Sequence, residues 1–188
     1  MRIITGEYKG RRLFAPKDRE IRPTTDRVKE AIFSMLSDKV YGNQVLDLFA
    51  GTGNLGLEAL SRGSNHCYFA DASKIALELL RKNINYCKAQ EKSTILHGDY
   101  RRTLKQIIKP CNLIFLDPPY EKGMVLDCLS YIEEYEVLAP GGIIVIEHGK
   151  REVLSEEIGS FQLIKKRQYG TILISMYSCH CEVDYDTI

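Results

Sequence analysis

From residue 44 to about residue 177, short apolar runs alternate with helical stretches, a rhythm that few architectures can satisfy. The runs at 45–49, 67–70, 94–97, 113–116 and 143–146 are dominated by Val, Ile, Leu, Phe and Cys, as strands buried on both faces must be. Between them, 55–61, 75–87, 102–108 and 125–135 repeat apolar residues at helical spacing. Such alternation requires crossover connections, so the strands pair in parallel and helices cover both faces of the sheet. At the end, 161–166 and 171–177 flank Gln168-Tyr169-Gly170, a turn signal that makes the last two strands a hairpin. The expected fold is α/β: a doubly wound, mostly parallel sheet of seven strands.

Ahead of this core, residues 2–14 alternate loosely around Glu7-Tyr8-Lys9-Gly10 and read as a short β-hairpin. Arg22-Pro23-Thr24-Thr25-Asp26 reads as a turn in which Thr24 or Thr25 caps a helix running to about Ser37, with Val28, Ile32, Met35 and Leu36 on its apolar face. A length of 188 residues suits one domain. It divides into a hairpin-and-helix extension (1–38), a core (39–178) and a tail (179–188) whose end is acidic. No apolar run approaches the roughly 18 residues of a membrane span, and the basic start lacks the apolar stretch of a secretory signal, so a cytoplasmic location is expected.

The net charge is only +1, yet residues 1–30 hold nine basic side chains (Arg2, Lys9, Arg11, Arg12, Lys17, Arg19, Arg22, Arg27 and Lys29) against five acidic ones. That segment is +4, which leaves −3 for the rest. The asymmetry directs the extension, rather than the whole surface, at a polyanion, with a solvated basic hairpin as the alternative on charge alone. Six scattered cysteines form no C-x-x-C pair, and the four histidines have no catalytic spacing. They imply reduced thiols, packed or solvated imidazoles and no metal.

Three motifs carry chemistry. In Val45-Leu46-Asp47-Leu48-Phe49-Ala50-Gly51-Thr52-Gly53-Asn54-Leu55-Gly56 a strand ends in a glycine-rich turn that opens a helix. Gly51 and Gly53 permit a tight turn and close backbone approach to a ligand. Asp47 needs a partner inside the sheet, and the ammonium of a methionine moiety, as in S-adenosylmethionine, suits it. Asp71 ends the next strand, 18 residues past Gly53, where it can bind two ribose hydroxyls. NAD binding competes for these two motifs together, and a cap for the helix starting near Ser73 is the structural alternative. Asp99 ends the third strand and is either an acceptor for an adenine amino group or another helix cap.

The third motif is Asp117-Pro118-Pro119-Tyr120, delivered by the apolar strand 113–116 to the carboxyl edge of the sheet. It reads as an amine trap. An exocyclic amine of a nucleobase has its lone pair delocalised into the ring, so acceptors such as the Asp117 carboxylate and the Pro118 carbonyl are needed to favour a pyramidal nitrogen. Tyr120 can stack on a base drawn out of its helix. The same trap serves guanine N2, adenine N6 of DNA or RNA, or a glutamine side chain of a protein. A catalytically silent RNA-binding assembly factor would not require it.

The combination Asp47-x-Phe49-x-Gly51-x-Gly53 with Asp117-Pro118-Pro119-Tyr120 resembles the class I, Rossmann-like, S-adenosylmethionine-dependent amino methyltransferases, which removes the case for NAD. The leader Met1-Arg2-Ile3-Ile4-x-Gly6-x-Tyr8-Lys9-Gly10-Arg11-Arg12-Leu13 and the block Arg22-Pro23-Thr24-Thr25-Asp26-Arg27-Val28-Lys29-Glu30 resemble the RsmD family, which methylates N2 of one guanine in 16S ribosomal RNA. The resemblance runs from Met1 to about Tyr177. It implies that Asp47, Phe49, Gly51 and Gly53 hold the methionine end of S-adenosylmethionine, Asp71 the ribose, and Asp99 and Tyr100 the adenine, with Thr24 and Thr25 beside the cofactor. It assigns Asp117, Pro118 and Tyr120 to the guanine. Arg2, Lys9, Arg11, Arg12, Arg22 and Arg27 fall to the RNA of the small subunit or its assembly intermediate, with no obligate protein partner. Two departures stand out: Asn54 where the family usually has a small residue, and Asp71 where the longer glutamate is common.

Overall fold

The computed structural model describes residues 1–16, 26–119 and 123–179. Arg22, Thr24, Thr25, Tyr120, His180 and Cys181, with the expected turn up to residue 25 and most of the tail, lie outside the described residues. The buried runs form strands β1 (Gln44–Leu48), β2 (His66–Asp71), β3 (Ser93–His97), β4 (Cys111–Leu116) and β5 (Leu138–Gly149), and the end of the chain adds β6 (Glu157–Ile158), β7 (Phe161–Tyr169) and β8 (Ile172–Cys179). All lie in one sheet in the order β3-β2-β1-β4-β5-β8-β7-β6, parallel from β3 to β5 and antiparallel beyond.

The sheet therefore has eight strands rather than the expected seven. The extra strand is β6, two residues folded back on Phe161 and Gln162, too short for any periodicity to register. β5 also exceeds its expected span. It starts at Leu138 and passes through Pro140-Gly141-Gly142, which a strand tolerates because the register with β4 shifts between Cys111 and Leu113.

The helices are α1 (Asp26–Leu36), α2 (Asn54–Ser61), α3 (Lys74–Cys87), α4 (Tyr100–Leu104) and α5 (Met124–Glu134). α1 to α3 and the leader pack on one face of the sheet, α4 and α5 on the other. α4 begins and ends earlier than its apolar spacing predicts, at Tyr100 and Leu104, and the Asp99 carboxylate starts it by accepting from the Arg101 N–H. On α1, Val28, Ile32 and Leu36 are buried as expected, but Met35 is only partly covered, and Phe33 and Lys29 complete the inner face.

Lys29 corrects the charge reading, because it is fully buried and faces no polyanion. Its Nζ lies 3.3 Å from Glu58 Oε2 and donates to the Arg2 carbonyl and to Asn54 Oδ1. Glu58, equally buried, also accepts from the Ile4 and Thr5 N–H groups and from Arg62 Nε. The leader is thus tied to α2 through one carboxylate. Ser61 and Asn83 add further bonds to Thr5, Tyr8 and Phe14, and Arg62 stacks on the Phe33 ring.

In place of a regular hairpin, the leader is a chain reversal held by the Arg2–Arg12 bridge and by bonds between Ile3 and residues 10 and 11. Gly6 is mandatory: its φ is +88° and a Cβ there would stand 1.7 Å from the Ser61 carbonyl oxygen.

Glu58→Ala strands the Lys29 ammonium and three further donors, and is expected to cost about 3–5 kcal/mol in urea unfolding. Lys29→Met should cost distinctly less, because Glu58 keeps its three other donors; equal losses would show that the ion pair alone matters.

Candidate active site at the carboxyl edge of the sheet

The chain runs outward from β1 to β2 and β3, then returns to the other side of β1 as β4. Sheets that reverse in this way leave a crevice beyond the strand ends at the reversal. Here the crevice is a cavity of about 610 Å³, within the range of small-molecule sites, lined by Phe49, Gly51, Asp71, Ser73, Asp99, Tyr100, Asp117, Pro118, Pro119 and Met124 among others. The cavity thus gathers five of the nine predicted cofactor residues and the described part of the amine trap.

Its walls follow from local chemistry. Phe49 adopts φ +72°, costly for a side-chain-bearing residue, and its N–H and that of Ala50 both donate to the Ala70 carbonyl. This bend carries the chain from β1 into the glycine turn and sets the Phe49 ring 5.7 Å from that of Tyr100. Asp71 closes the turn from the neighbouring strand: Oδ2 accepts from the Gly51 N–H at 2.8 Å and Oδ1 from the Ser73 N–H at 2.7 Å. Ser73, not Asp71, caps α3 with its hydroxyl. Each Asp71 oxygen retains acceptor capacity, so the carboxylate can still receive hydroxyl donors from the cavity. Asp99 caps α4 and lines the cavity as well, so its two readings do not exclude each other.

Asp47 and Gly53 do not line the cavity. Asp47 is 3% exposed, and its Oδ2 accepts from the Gly56 N–H at 2.8 Å, so the partner its burial demands is the backbone of α2. Burial pushes its carboxyl up to about 7, the Gly56 bond opposing this and the Asp71 charge adding to it. A Cβ on Gly56 would meet the Phe69 ring at 2.3 Å and Asp47 Oδ2 at 3.0 Å, so this glycine allows strand and helix to close on each other. Gly53 has φ +86° and packs against Leu80 and Leu57. Its service is to the turn.

Asn54, the first departure, accepts from the buried Lys29 and belongs to the leader clamp. Among the predicted RNA contacts, Arg2 pairs with Asp26 at 3.1 Å, and Arg11 lies over the Tyr8 and Tyr86 rings with a bond to the Tyr86 carbonyl. Lys9, Arg12 and Arg27 are exposed. His66 bonds Thr94, and His148 is enclosed between Ser175 and the Glu152 carbonyl. Cys67, Cys87, Cys111 and Cys128 are buried free thiols that burial pushes up, out of reach of thiolate chemistry. Among the described residues no cluster could hold a metal ion, and no helix is long and apolar enough to cross a membrane.

Sequence reasoning missed Asp127 on α5. It accepts from the Tyr100 hydroxyl and from Arg101 Nη2, and the Arg101 guanidinium lies 4.8 Å over the Tyr100 ring. Burial and the Asp127 carboxylate raise the Tyr100 phenol, so it stays a neutral donor. No spacing signal links residues 27 positions apart on separate helices.

The family model described as "Conserved hypothetical protein 95" matches residues 1–178. The Escherichia coli (strain K12) protein named ribosomal RNA small subunit methyltransferase D is 31% identical over 186 residues, covering 99% of this chain and 93% of its own. The chain belongs to the RsmD family. Another relative, YlbH of Bacillus subtilis (strain 168), named as a candidate rRNA methyltransferase, is 39% identical over 180 residues, or 94% of this chain and 98% of its own. The solved structure of yhhF, a candidate methyltransferase from Escherichia coli, superposes with a TM-score of 0.86 at 31% identity, covering 95% of this chain and 97% of that one. The family membership agrees with the class I, Rossmann-like methyltransferase fold seen here.

The raised Asp47 carboxyl fixes a sign for stability against pH. Its folded-state value exceeds the ordinary 3.8, so its contribution is fully present below that value and is lost as pH rises through about 7. In the ligand-free protein, Asp47→Asn should remove a decline in unfolding free energy between pH 4 and 7 on the order of a few kcal/mol. Parallel wild-type and variant curves across that window would contradict the assignment.

Proposed function

We propose that this RsmD-family protein methylates ribosomal RNA of the small subunit, at the exocyclic N2 of a guanine, with S-adenosylmethionine as methyl donor. The observation that carries this reading is the meeting, in one cavity, of the Asp71–Gly51 pair, the Phe49–Tyr100 rings and the Asp117-Pro118 acceptors. The donor set fits the cofactor. Asp71 has acceptor capacity for ribose hydroxyls, the two rings provide apolar surface for adenine, and about 610 Å³ holds a nucleoside with its amino-acid arm. When bound, the cofactor supplies a methyl group on a positively charged sulfur that leaves as a neutral thioether.

The remaining work falls to the chain. The Asp117 carboxylate and the Pro118 carbonyl accept the amine protons and turn the nitrogen lone pair toward the cavity. As positive charge develops on that nitrogen, the adjacent carboxylate stabilises it and then receives the proton. Orientation of the amine toward the methyl donor replaces the need for a strong base. Tyr120, outside the described residues, is proposed as the stacking platform from its place in the motif. The exposed cations Lys9, Arg12 and Arg27 are proposed to take the RNA phosphates together with Arg2, with Arg11 as a brace for the leader, and Arg22, outside the described residues, is proposed to join them from its place in the motif.

Asp117→Ala should lower kcat by at least about a hundredfold while leaving S-adenosylmethionine affinity unchanged by calorimetry. Asp71→Ala should do the reverse, weakening cofactor binding by about 10–100-fold through loss of charge-assisted bonds. Labelled methyl transfer to unmodified small-subunit particles and naked 16S RNA, followed by nucleoside digestion, tests the acceptor. Label in N2-methylguanosine supports the reading, label in N6-methyladenosine keeps the mechanism and replaces the base, and bound cofactor without label on either substrate refutes it.

A further inference from the structure

We infer that the open edge of β7, with the start of the loop after β5, is a second RNA-backbone surface beside the active site, formed by Lys150, Lys165, Lys166 and Arg167. The inference rests on the proposed RNA substrate and extends it to a part of the chain far from the basic leader in sequence.

The sheet topology places these cations. β7 pairs with β8 along most of its length but with β6 only at Phe161 and Gln162, and the Leu163 N–H donates to the Glu156 carbonyl, so the uncovered edge runs from 164 to 169. In register, Lys166 pairs with Ser175, Ser175 with Ile146, and Ile146 with Leu116, the residue before Asp117. Arg167 lies one step further toward the same end of the sheet. Three strand spacings of roughly 4.8 Å put Lys166 about 14 Å from the strand that delivers the amine trap. Lys150 joins them there, since its N–H donates to the Thr171 carbonyl at the β7–β8 turn.

The charges are available to a partner. Lys150, Lys166 and Arg167 are exposed, β7 carries no acidic residue, and none of the four forms an ion pair among the described residues. By contrast, the leader's cations are partly engaged: Arg2 with Asp26, Arg11 on two rings, and Lys29 inside the core. A register shift between Leu163 and Lys165 bulges the strand at Ile164, ahead of the basic run. Successive residues then alternate sides, so cations lie on both faces of the edge. Lysines also blunt an edge against pairing with another chain. Three in succession, at the end of the sheet where the cavity opens, match the phosphates that flank a base held beside Asp117. The contacts are to backbone charge, so they add affinity without sequence preference.

The test is the salt dependence of binding to an unmodified small-subunit rRNA fragment by the full chain and by Lys165→Gln/Lys166→Gln/Arg167→Gln. For every phosphate that a variant no longer neutralises, the slope of log affinity against log salt falls by roughly 0.7–0.9, so the triple variant should lose about two. Its KM for RNA should rise about tenfold or more, with kcat at saturating RNA and cofactor affinity unchanged. Lys150→Gln, which leaves the strand pairing intact, should lower the slope by about one and guards against a folding defect in the triple variant. Wild-type slope and KM in both variants would overturn the inference and assign the cations to edge protection. Absence of wild-type RNA binding would instead remove the RNA reading itself.

Discussion

Glu58 sits in a helix buried all round, and its two carboxylate oxygens hold Lys29, Arg62 and the N–H groups of Ile4 and Thr5. A charge in such a place is costly unless every lone pair is used, and the strands of chain that use them come from three separate segments. The leader, α1 and α2 therefore reach their positions together or not at all. Because α2 begins at the glycine turn, this clamp also fixes the side of the crevice on which the cavity forms. The apolar contacts of Ile3, Tyr8 and Leu13 then close the same face of the sheet.

At the crevice the principle is similar, with backbone groups as the main partners. Asp47 inside the sheet and Asp71 at its edge hold the two ends of the turn, through Gly56 and Gly51 respectively. Only the second keeps contact with the cavity. Burial divides the two carboxylates, one pushed up to about 7 behind the turn, the other lining the cavity with acceptor capacity to spare. On the opposite wall, Asp127 fastens Tyr100 and Arg101 to α5, so the aromatic surface near the cavity is braced by the helix that follows the amine trap.

Much of this was legible in the chain itself. Strict alternation of apolar runs and helical stretches forces a parallel sheet, and the carboxyl ends of two of its strands had to deliver Asp71 and Asp117 to one edge. Local patterns failed where the decisive partner was distant. The need of Asp47 for a partner was legible, but the α2 backbone partner that meets it, the Gly56 amide nine residues on, was not. The charge count of the first thirty residues included Lys29, whose helical position among Val28, Ile32 and Phe33 places it inside. β6 escaped notice because two residues carry no period.

The sequence by itself determined the alternation, the glycine turn, the acidic residues at the strand ends and the family to which the chain belongs, since each is written in contiguous residues whose spacing acts locally. Tertiary structure alone decided which charges face water. Lys29 and Lys166 are the same side chain in one-dimensional counting, yet one is enclosed by Glu58 and Asn54 and the other lies on an open edge in register with the strand leading to Asp117. The difference comes from strand order, which brings β7 within three spacings of β4 across about fifty residues of chain. Burial and register are properties of the assembled sheet, so no window along the chain contains them.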